Sequence, residues 1–267
     1  MEPLSPAAAA LWEAGQTATS CNPIRGVIGE TDVDAAYAVQ EEITKRRIKE
    51  GARLVGRKIG LTAASVQAQL GVAQPDYGML FDDMDIANGG QIQPGRLIQP
   101  KVEAEIAFIM GRDLVEEKLT TADVLGAIAW AVPALEIVDS RITGWDIRIT
   151  DTIADNASSG LFVLGHDVRR VDTIDLIGCG MSLECNGELV ASGAGAACLG
   201  SPVNSTLWLA RVMAKAGRPL RAGDVVLSGA LGPMVTANPG SAFEARIQGL
   251  GTVRAIFSRD TSGSAQP

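Results

Sequence analysis

Aromatic residues make up only 4% of this 267-residue chain, and it has a single histidine, His166. One histidine excludes most zinc sites and the iron site built from two histidines and a carboxylate. It also leaves little capacity for a Ser-His-Asp triad, and no GxSxG elbow accompanies it. The four cysteines, Cys21, Cys179, Cys185 and Cys198, show no CxxC spacing. Neither a thiolate metal site nor a disulfide framework is indicated, and a reducing cytoplasm is the expected compartment. There is no basic excess. The net charge of −8 argues against nucleic acid and anionic membrane as partners. No apolar run approaches the ~20 residues needed to span a bilayer. The opening MEPLSPAAAALWEAG carries Glu2 early and lacks a basic stretch, so it reads as a helix and not a signal peptide. Walker A and HExxH motifs are absent, and GAGAACLG (Gly193 to Gly200) has its third glycine misplaced for a dinucleotide loop.

What is present is an aliphatic globular chain, 46% hydrophobic and 20% charged, whose core must be built from Ala, Val, Ile and Leu. The first third reads as mostly helical. Thr31 reads as an N-cap and Asp34 as an acidic N3 residue ahead of a helix that closes at Gly51. A short strand follows at Arg53 to Leu61, then a loop-rich stretch with Pro75, Asp76, Gly78 and an acidic cluster, ended by Gly89 and Gly90. From Gln91 onward strands dominate: Val102 to Met110, Ala134 to Val138, Leu161 to Leu164, Met181 to Cys185, Val225 to Ser228, Ala242 to Ile247 and Thr252 to Phe257. Helices are expected at Thr121 to Ala131, capped by Thr121, and at Val203 to Ala216, closed by Gly217. Strands this numerous, without strict alternation with helices, predict an α+β fold with a mixed or antiparallel sheet. Residues 1–90 are expected to form a mostly helical region packed on a catalytic domain at 91–258, with a disordered tail at 259–267, all acting as one functional unit.

Three glutamates interrupt the apolar strands. Glu103 and Glu105 lie in PKVEAEIAFIM and Glu136 in PALEIVDSRI. Strand side chains alternate, so Glu103 and Glu105 share a face with Cα atoms ~6.5 Å apart. Carboxylates placed among Val102, Ala104, Ile106 and Phe108 repel one another and are costly to bury. A hard divalent cation resolves that conflict, with Glu136 from a neighbouring strand as third ligand. An exposed strand edge is the bland alternative. Lys58, in VGRKIGL, shares a strand face with Gly56 and Gly60, which leave room for a ligand to approach its amine. It could hold an anion or shuttle a proton, or simply lie along the surface. The run DTIADNASSG sets Asp155, Asn156, Ser158 and Ser159 before a strand, where they could bind a carboxylate, orient a water or cap a turn. Asp76, in QPDYG, is equally open between turn and chemistry.

Six motifs in order, VGRKIGLT, GVAQPDYGMLFDDM, PKVEAEIAFIM, PALEIVDSRI, DNASSG and GDVVLSGALGPMV, resemble the 2-hydroxypenta-2,4-dienoate (2-keto-4-pentenoate) hydratases of the fumarylacetoacetate hydrolase superfamily. The resemblance runs from about Leu11 to Phe257. It implies a mixed β-roll or distorted barrel with flanking helices, usually assembled as a homo-oligomer, and Mg2+ or Mn2+ on Glu103, Glu105 and Glu136. It implies a 2-hydroxy or 2-oxo dienoate as substrate, protonated at C5 and hydrated at C4 to 4-hydroxy-2-oxopentanoate in the meta-cleavage degradation of aromatics. The cation would stabilise charge at the C2 oxygen. Lys58 and Asp76 are then the expected proton-transfer residues. Ser158, Ser159, Asp155 and Leu231 are expected around the substrate, and association with other enzymes of the pathway is a further expectation.

The related 4-oxalocrotonate decarboxylases share the glutamates. Asp76 and the loop SGALGPM (Ser228 to Met234) favour the hydratase, because an acid near the reacting end would repel a second substrate carboxylate. Ser201 stands where relatives usually carry histidine, at an expected helix start. A non-catalytic scaffold is disfavoured by the polar residues that surround the glutamates. A carbon–carbon hydrolase would need His166 beside the metal.

Overall fold

Alternation of apolar residues with Glu103 and Glu105 along one ten-residue strand, and its pairing with an eleven-residue strand carrying Glu136, set the centre of the fold. The computed structural model describes residues 3–63, Gln67 and 74–259. The expected disordered tail lies, beyond its first residue, outside the described residues.

In chain order the described elements are α1 (Pro6–Thr17), α2 (Arg25–Ile28), α3 (Val33–Lys49), β1 (Leu54–Gly60), β2 (Asp76–Phe81), β3 (Asp85–Ile86), β4 (Gln91–Ile92), β5 (Lys101–Met110), α4 (Thr121–Ala127) and β6 (Ile128–Val138). There follow α5 (Ile149–Ala154), β7 (Ser159–Leu164), β8 (Gly180–Cys185), β9 (Glu188–Ala194), α6 (Pro202–Lys215), β10 (Val225–Ala230), β11 (Val235–Thr236), β12 (Ala242–Ile247) and β13 (Gly251–Phe257). Eight strands form a curled half-barrel in the order β2-β1-β10-β5-β6-β7-β3, with β11 pairing on β5. The other five form a second sheet, β4-β13-β12-β8-β9. Pairing is mixed: β1 runs parallel to β10 and β3 to β7, whereas β5 is antiparallel to both β10 and β6. The α+β class and mixed β-roll expected from the sequence are what the chain adopts.

One continuous core joins the sheets, with Ile106, Phe108, Leu135, Ile137, Phe162 and Phe243 among its fully buried members. A smaller cluster of Ala7, Leu11, Ile24, Val39, Ile149 and Ile153 holds α1, α3 and α5 together. Gln40 ties this layer to the sheet. Its buried amide donates to the carbonyls of Tyr77 on β2 and Ile153 on α5, at 2.9 and 2.8 Å. No helix among the described residues is long and apolar enough to cross a membrane.

Three local expectations are corrected. The cap of α3 is Asp32, which accepts from the Ala35 amide at 2.9 Å, and not Thr31. Helix α4 is capped by Thr120 and stops at Ala127. Ile128 onward is strand because the apolar run to Val138 is buried along β6, with β5 beside it. Pro133 does not break that strand: the ladder to β7 ends at Ala134, and the Pro133 carbonyl still accepts from the Gly165 amide at 2.7 Å. The stretch around Asp76 is a buried strand, β2, and not a loop.

Candidate active site

The β5–β6 register sets Glu103 directly opposite Glu136, and Glu105 follows on the same face of β5. One ligand atom from each of the three lies within 4.8 Å of the others. Glu105 and Glu136 are fully buried and Glu103 is half-buried.

An irregularity in the neighbouring strand supports the cluster. The register of β10 with β5 shifts between Leu227 and Ala230, which frees ladder groups for side chains. The Ser228 hydroxyl donates to the Ile106 carbonyl at 2.7 Å, and the Gly229 amide donates to Glu105 Oε2 at 2.8 Å. Glycine is required at 229. Its φ is +113°, and a Cβ there would lie 2.5 Å from the Thr62 side chain.

Lys58 comes from β1, with Nζ 3.1 Å from Glu136 Oε1. That contact is an ion pair by distance but is not aligned as a hydrogen bond, since Glu136 Oε1 still finds no hydrogen-bond partner. Asp76 sits at the head of β2, opposite Gly60. A Cβ on residue 60 would lie 2.2 Å from Asp76 Oδ1 and 3.5 Å from Lys58 Nζ, so the missing side chain is the space in which acid and amine converge. From the other side, Thr152 of α5 donates through Oγ1 to Asp76 Oδ2 at 3.4 Å, and the Ser158 hydroxyl lies 3.4 Å from Thr152 Oγ1.

Ser158 is aimed there by an uncommon backbone. Asn156, Ala157 and Ser158 all take positive φ, between 51° and 55°, a conformation that costs a residue with a Cβ roughly 1–2 kcal/mol. The Asn156 side chain holds the turn by pairing with both backbone groups of Met79, at 2.7 and 2.9 Å.

Burial and mutual repulsion shape the charges. Burial, then the neighbouring Glu136, pushes Glu103 up to about 7 and Glu105 well above the carboxylate range. Burial likewise raises Asp76, against the pull of Lys58. Burial alone would depress Lys58, but Glu136, Asp76 and Glu103 together outweigh it and hold the ammonium above its ordinary range. Among the described residues, Glu105 Oε1, Glu136 Oε1 and Asp76 Oδ1 are buried without a hydrogen-bond partner. Unsatisfied buried carboxylate oxygens facing one another are the donor set that a hard divalent cation takes.

The other expected residues separate. Asp155 is held by Arg141 through its guanidinium and, at 2.9 Å, its backbone amide. The Ser159 hydroxyl donates to the Asn156 carbonyl at 2.8 Å. Leu231 is fully buried, and its amide donates to the Ala104 carbonyl at 2.9 Å. Ser201 caps α6, accepting from Val203 at 3.3 Å. His166 is exposed past the end of β7, so the histidine-dependent hydrolase loses its premise. Thr152 and Gly229 were not singled out in the sequence. Thr152 lies inside the DTIADNASSG stretch, but only the helix α5 turns it toward Asp76. A cavity of about 680 Å³ between α1, α3 and β7 is lined by none of the three glutamates.

The family model described as fumarylacetoacetate (FAA) hydrolase C-terminal matches residues 60–257. A "TodF product hydratase" from Pseudomonas putida (strain F1) is 61% identical over 253 residues, which cover 95% of this chain and 94% of that one. The "2-keto-4-pentenoate hydratase 1" of Dechloromonas aromatica is 56% identical, covering 94% and 95%. Among solved structures, 4-oxalocrotonate decarboxylase from Pseudomonas putida G7, complexed with magnesium and adipate, superposes with a TM-score of 0.90 at 35% identity, covering 94% and 95%. The chain belongs to the fumarylacetoacetate hydrolase family.

Proposed function

We propose that this protein is a hydro-lyase that adds water to 2-hydroxypenta-2,4-dienoate (2-oxopent-4-enoate), giving 4-hydroxy-2-oxopentanoate in the meta-cleavage breakdown of aromatic compounds. The observation that carries the reading is the glutamate triad, in which Glu105 and Glu136 keep buried oxygens without a hydrogen bond, set beside a buried lysine and a buried aspartate, in a chain that matches hydratases along nearly its full length. Glu103, Glu105 and Glu136 would hold a divalent cation, Mg2+ or Mn2+, which when bound supplies Lewis-acid stabilisation of negative charge at the substrate's C2 oxygen.

The chain's own residues do the rest. Lys58 Nζ carries a proton within reach of Glu136, and its burial excludes competing water. Asp76 offers Oδ1 with no hydrogen-bond partner, and burial raises its pKa, the direction a proton-exchanging acid needs. Together they serve the two proton movements of the reaction, at C5 and at the attacking water. The hydroxyls of Ser158 and Thr152 orient that water against Asp76. Asp155 and Ser159 keep the supporting turn in place, and Leu231 backs Ala104, the residue between Glu103 and Glu105. A cytoplasmic enzyme working as a homo-oligomer, alongside the other enzymes of its pathway, completes the proposal.

The test is to incubate the purified protein with Mg2+ and fresh 2-hydroxypenta-2,4-dienoate, with and without a chelator, and identify products by mass. Gain of one water, abolished by the chelator, is the expected result. Inert dienoate together with release of carbon dioxide from 4-oxalocrotonate would instead assign the decarboxylase reaction.

A further inference from the structure

Charge sets a difficulty for a substrate that is itself an anion. With its carboxylates ionised, the cluster of Glu103, Glu105, Glu136 and Asp76 carries four negative charges, against Lys58 and a divalent cation. One negative charge is left over in a chain whose net charge is −8. Residues 64–73, next to the site in sequence, contain no charged side chain. A further cation must therefore come from elsewhere.

Lys101 is that cation. It opens β5 two residues before Glu103, so it shares the face of Glu103 and Glu105 at a Cα spacing of ~6.5 Å from Glu103. It is half-buried and, among the described residues, does not pair with a carboxylate. Its Nζ lies over the Trp145 ring, 4.2 Å from the centroid. The indole is itself fixed, donating through Nε1 to the Gln99 carbonyl at 3.0 Å. A cation held by a π-face keeps its charge available to a passing anion, whereas a salt bridge would cancel it.

The two cavities differ in the same sense. The one of about 680 Å³ is lined by five carboxylates against three arginines. A second, of about 400 Å³, is lined by Lys101, Trp145, Gln99, Thr236 and Asn238 among others, and by no carboxylate at all. Lys101 is its one charged lining residue, so an anion entering there meets positive charge beside the strand that carries Glu103.

Resting on the functional reading above, we infer that Lys101, steadied by Trp145, is the residue that attracts the substrate carboxylate and offsets the residual negative charge of the site. It is a positioning residue, without a part in proton transfer.

The experiment uses 2-oxopentanoate, a saturated 2-oxo acid that cannot be hydrated, as the calorimetric probe of the Mn2+-loaded full chain. Lys101→Met should weaken the probe roughly tenfold at low ionic strength, and the gap should close near ~0.5 M salt, where the screening length is only a few ångströms. Lys101→Arg should restore binding. Mn2+ affinity of the metal-free variant should be unchanged or tighter, because a nearby positive charge has been removed. In turnover the loss should fall on KM more than on kcat. Equal probe binding by wild type and Lys101→Met at low salt would overturn the inference and leave the hydratase reading standing. Parallel loss of Mn2+ and probe would also overturn it, since Lys101 would then be structural. A wild-type chain that binds Mn2+ but no 2-oxo acid would overturn both readings.

Discussion

Two regions of this molecule bury carboxylates, and they treat them in opposite ways. In the helical layer Asp151 is fully buried, yet every oxygen is engaged. Oδ1 accepts from the amides of Ile24 and Arg25 at 2.9 and 2.8 Å, and Oδ2 from the Arg148 amide and the Arg25 guanidinium at 2.9 and 2.7 Å. Asp155 is similarly held by Arg141. In the half-barrel, Glu105, Glu136 and Asp76 are buried as deeply and each keeps an oxygen without a hydrogen bond, that of Glu136 facing the Lys58 ammonium at 3.1 Å. The difference teaches how to separate a structural acid from a chemical one. Burial is common to both, and the inventory of partners divides them. An acid whose oxygens are all taken anchors the chain. Glu244 keeps one oxygen free of hydrogen bonds yet sits between Arg246 and Arg254, so it is the gathering of several such acids in one place that marks a ligand site.

The contrast can be broken most severely at the glutamates. Glu105→Gln should abolish turnover, by at least ~10³-fold if metal-assisted charge stabilisation is worth several kcal/mol. The metal-free variant should nevertheless melt at the same temperature as wild type or above it, because the cost of burying an ionisable carboxyl in the cluster has gone. Steady-state kinetics and a thermal melt in chelator read the two effects separately. Lys58→Met should lower kcat by ~10²–10⁴-fold while Mn2+ binding persists, which distinguishes a proton carrier from a ligand.

Asp151→Asn should show the reverse pattern. Stability should fall by about 2–3 kcal/mol, since Arg25 loses its buried partner, with the specific activity of the folded fraction unchanged. Urea unfolding monitored alongside activity checks this.

The smallest effect is one of pH. Glu103 is pushed up to about 7 and Glu105 well above the carboxylate range, above their unfolded values. Protonation is therefore favoured in the metal-free fold. The destabilisation from these groups is present above pH 7 and is relieved as pH falls through 7 toward the unfolded carboxylate range. The metal-loaded chain runs the other way, because each ligand proton must leave before the cation binds. Melting temperatures with chelator and with Mg2+ should converge as pH falls from about 8 to about 5, and parallel curves would refute the linkage.

Much of this was legible in the residues themselves. The glutamates and their shared face followed from a period of two in PKVEAEIAFIM, and pairing of Glu103 with Glu136 needed only that two strands be neighbours. The strands at 181–185, 242–247 and 252–257 matched closely because each alternates cleanly, and 102–110 because its alternating start runs into a buried apolar stretch. Strand β2 was hidden because Pro75 and Gly78 read as turn residues. Pro75 in fact precedes the strand, and Gly78 lies within it where the Asn156 carbonyl would stand 2.3 Å from a Cβ. The run DNASSG was visible as polar, but sequence spacing could not divide it. Asn156 to Ser158 form a left-handed turn that sends Ser158 toward Asp76 and leaves Asp155 with Arg141. Thr152 reaches the site only through the tertiary placement of α5, and nothing local announces it.

The most direct test is a Mn2+ titration of the metal-free protein, reading free Mn2+ by electron paramagnetic resonance, for wild type, Glu136→Gln and Asp151→Asn. One site per chain in wild type and in Asp151→Asn, lost in Glu136→Gln while its fold persists, is the predicted result. Full binding retained by Glu136→Gln, or loss of it in a folded Asp151→Asn, would contradict the assignment of the spare oxygens to a metal.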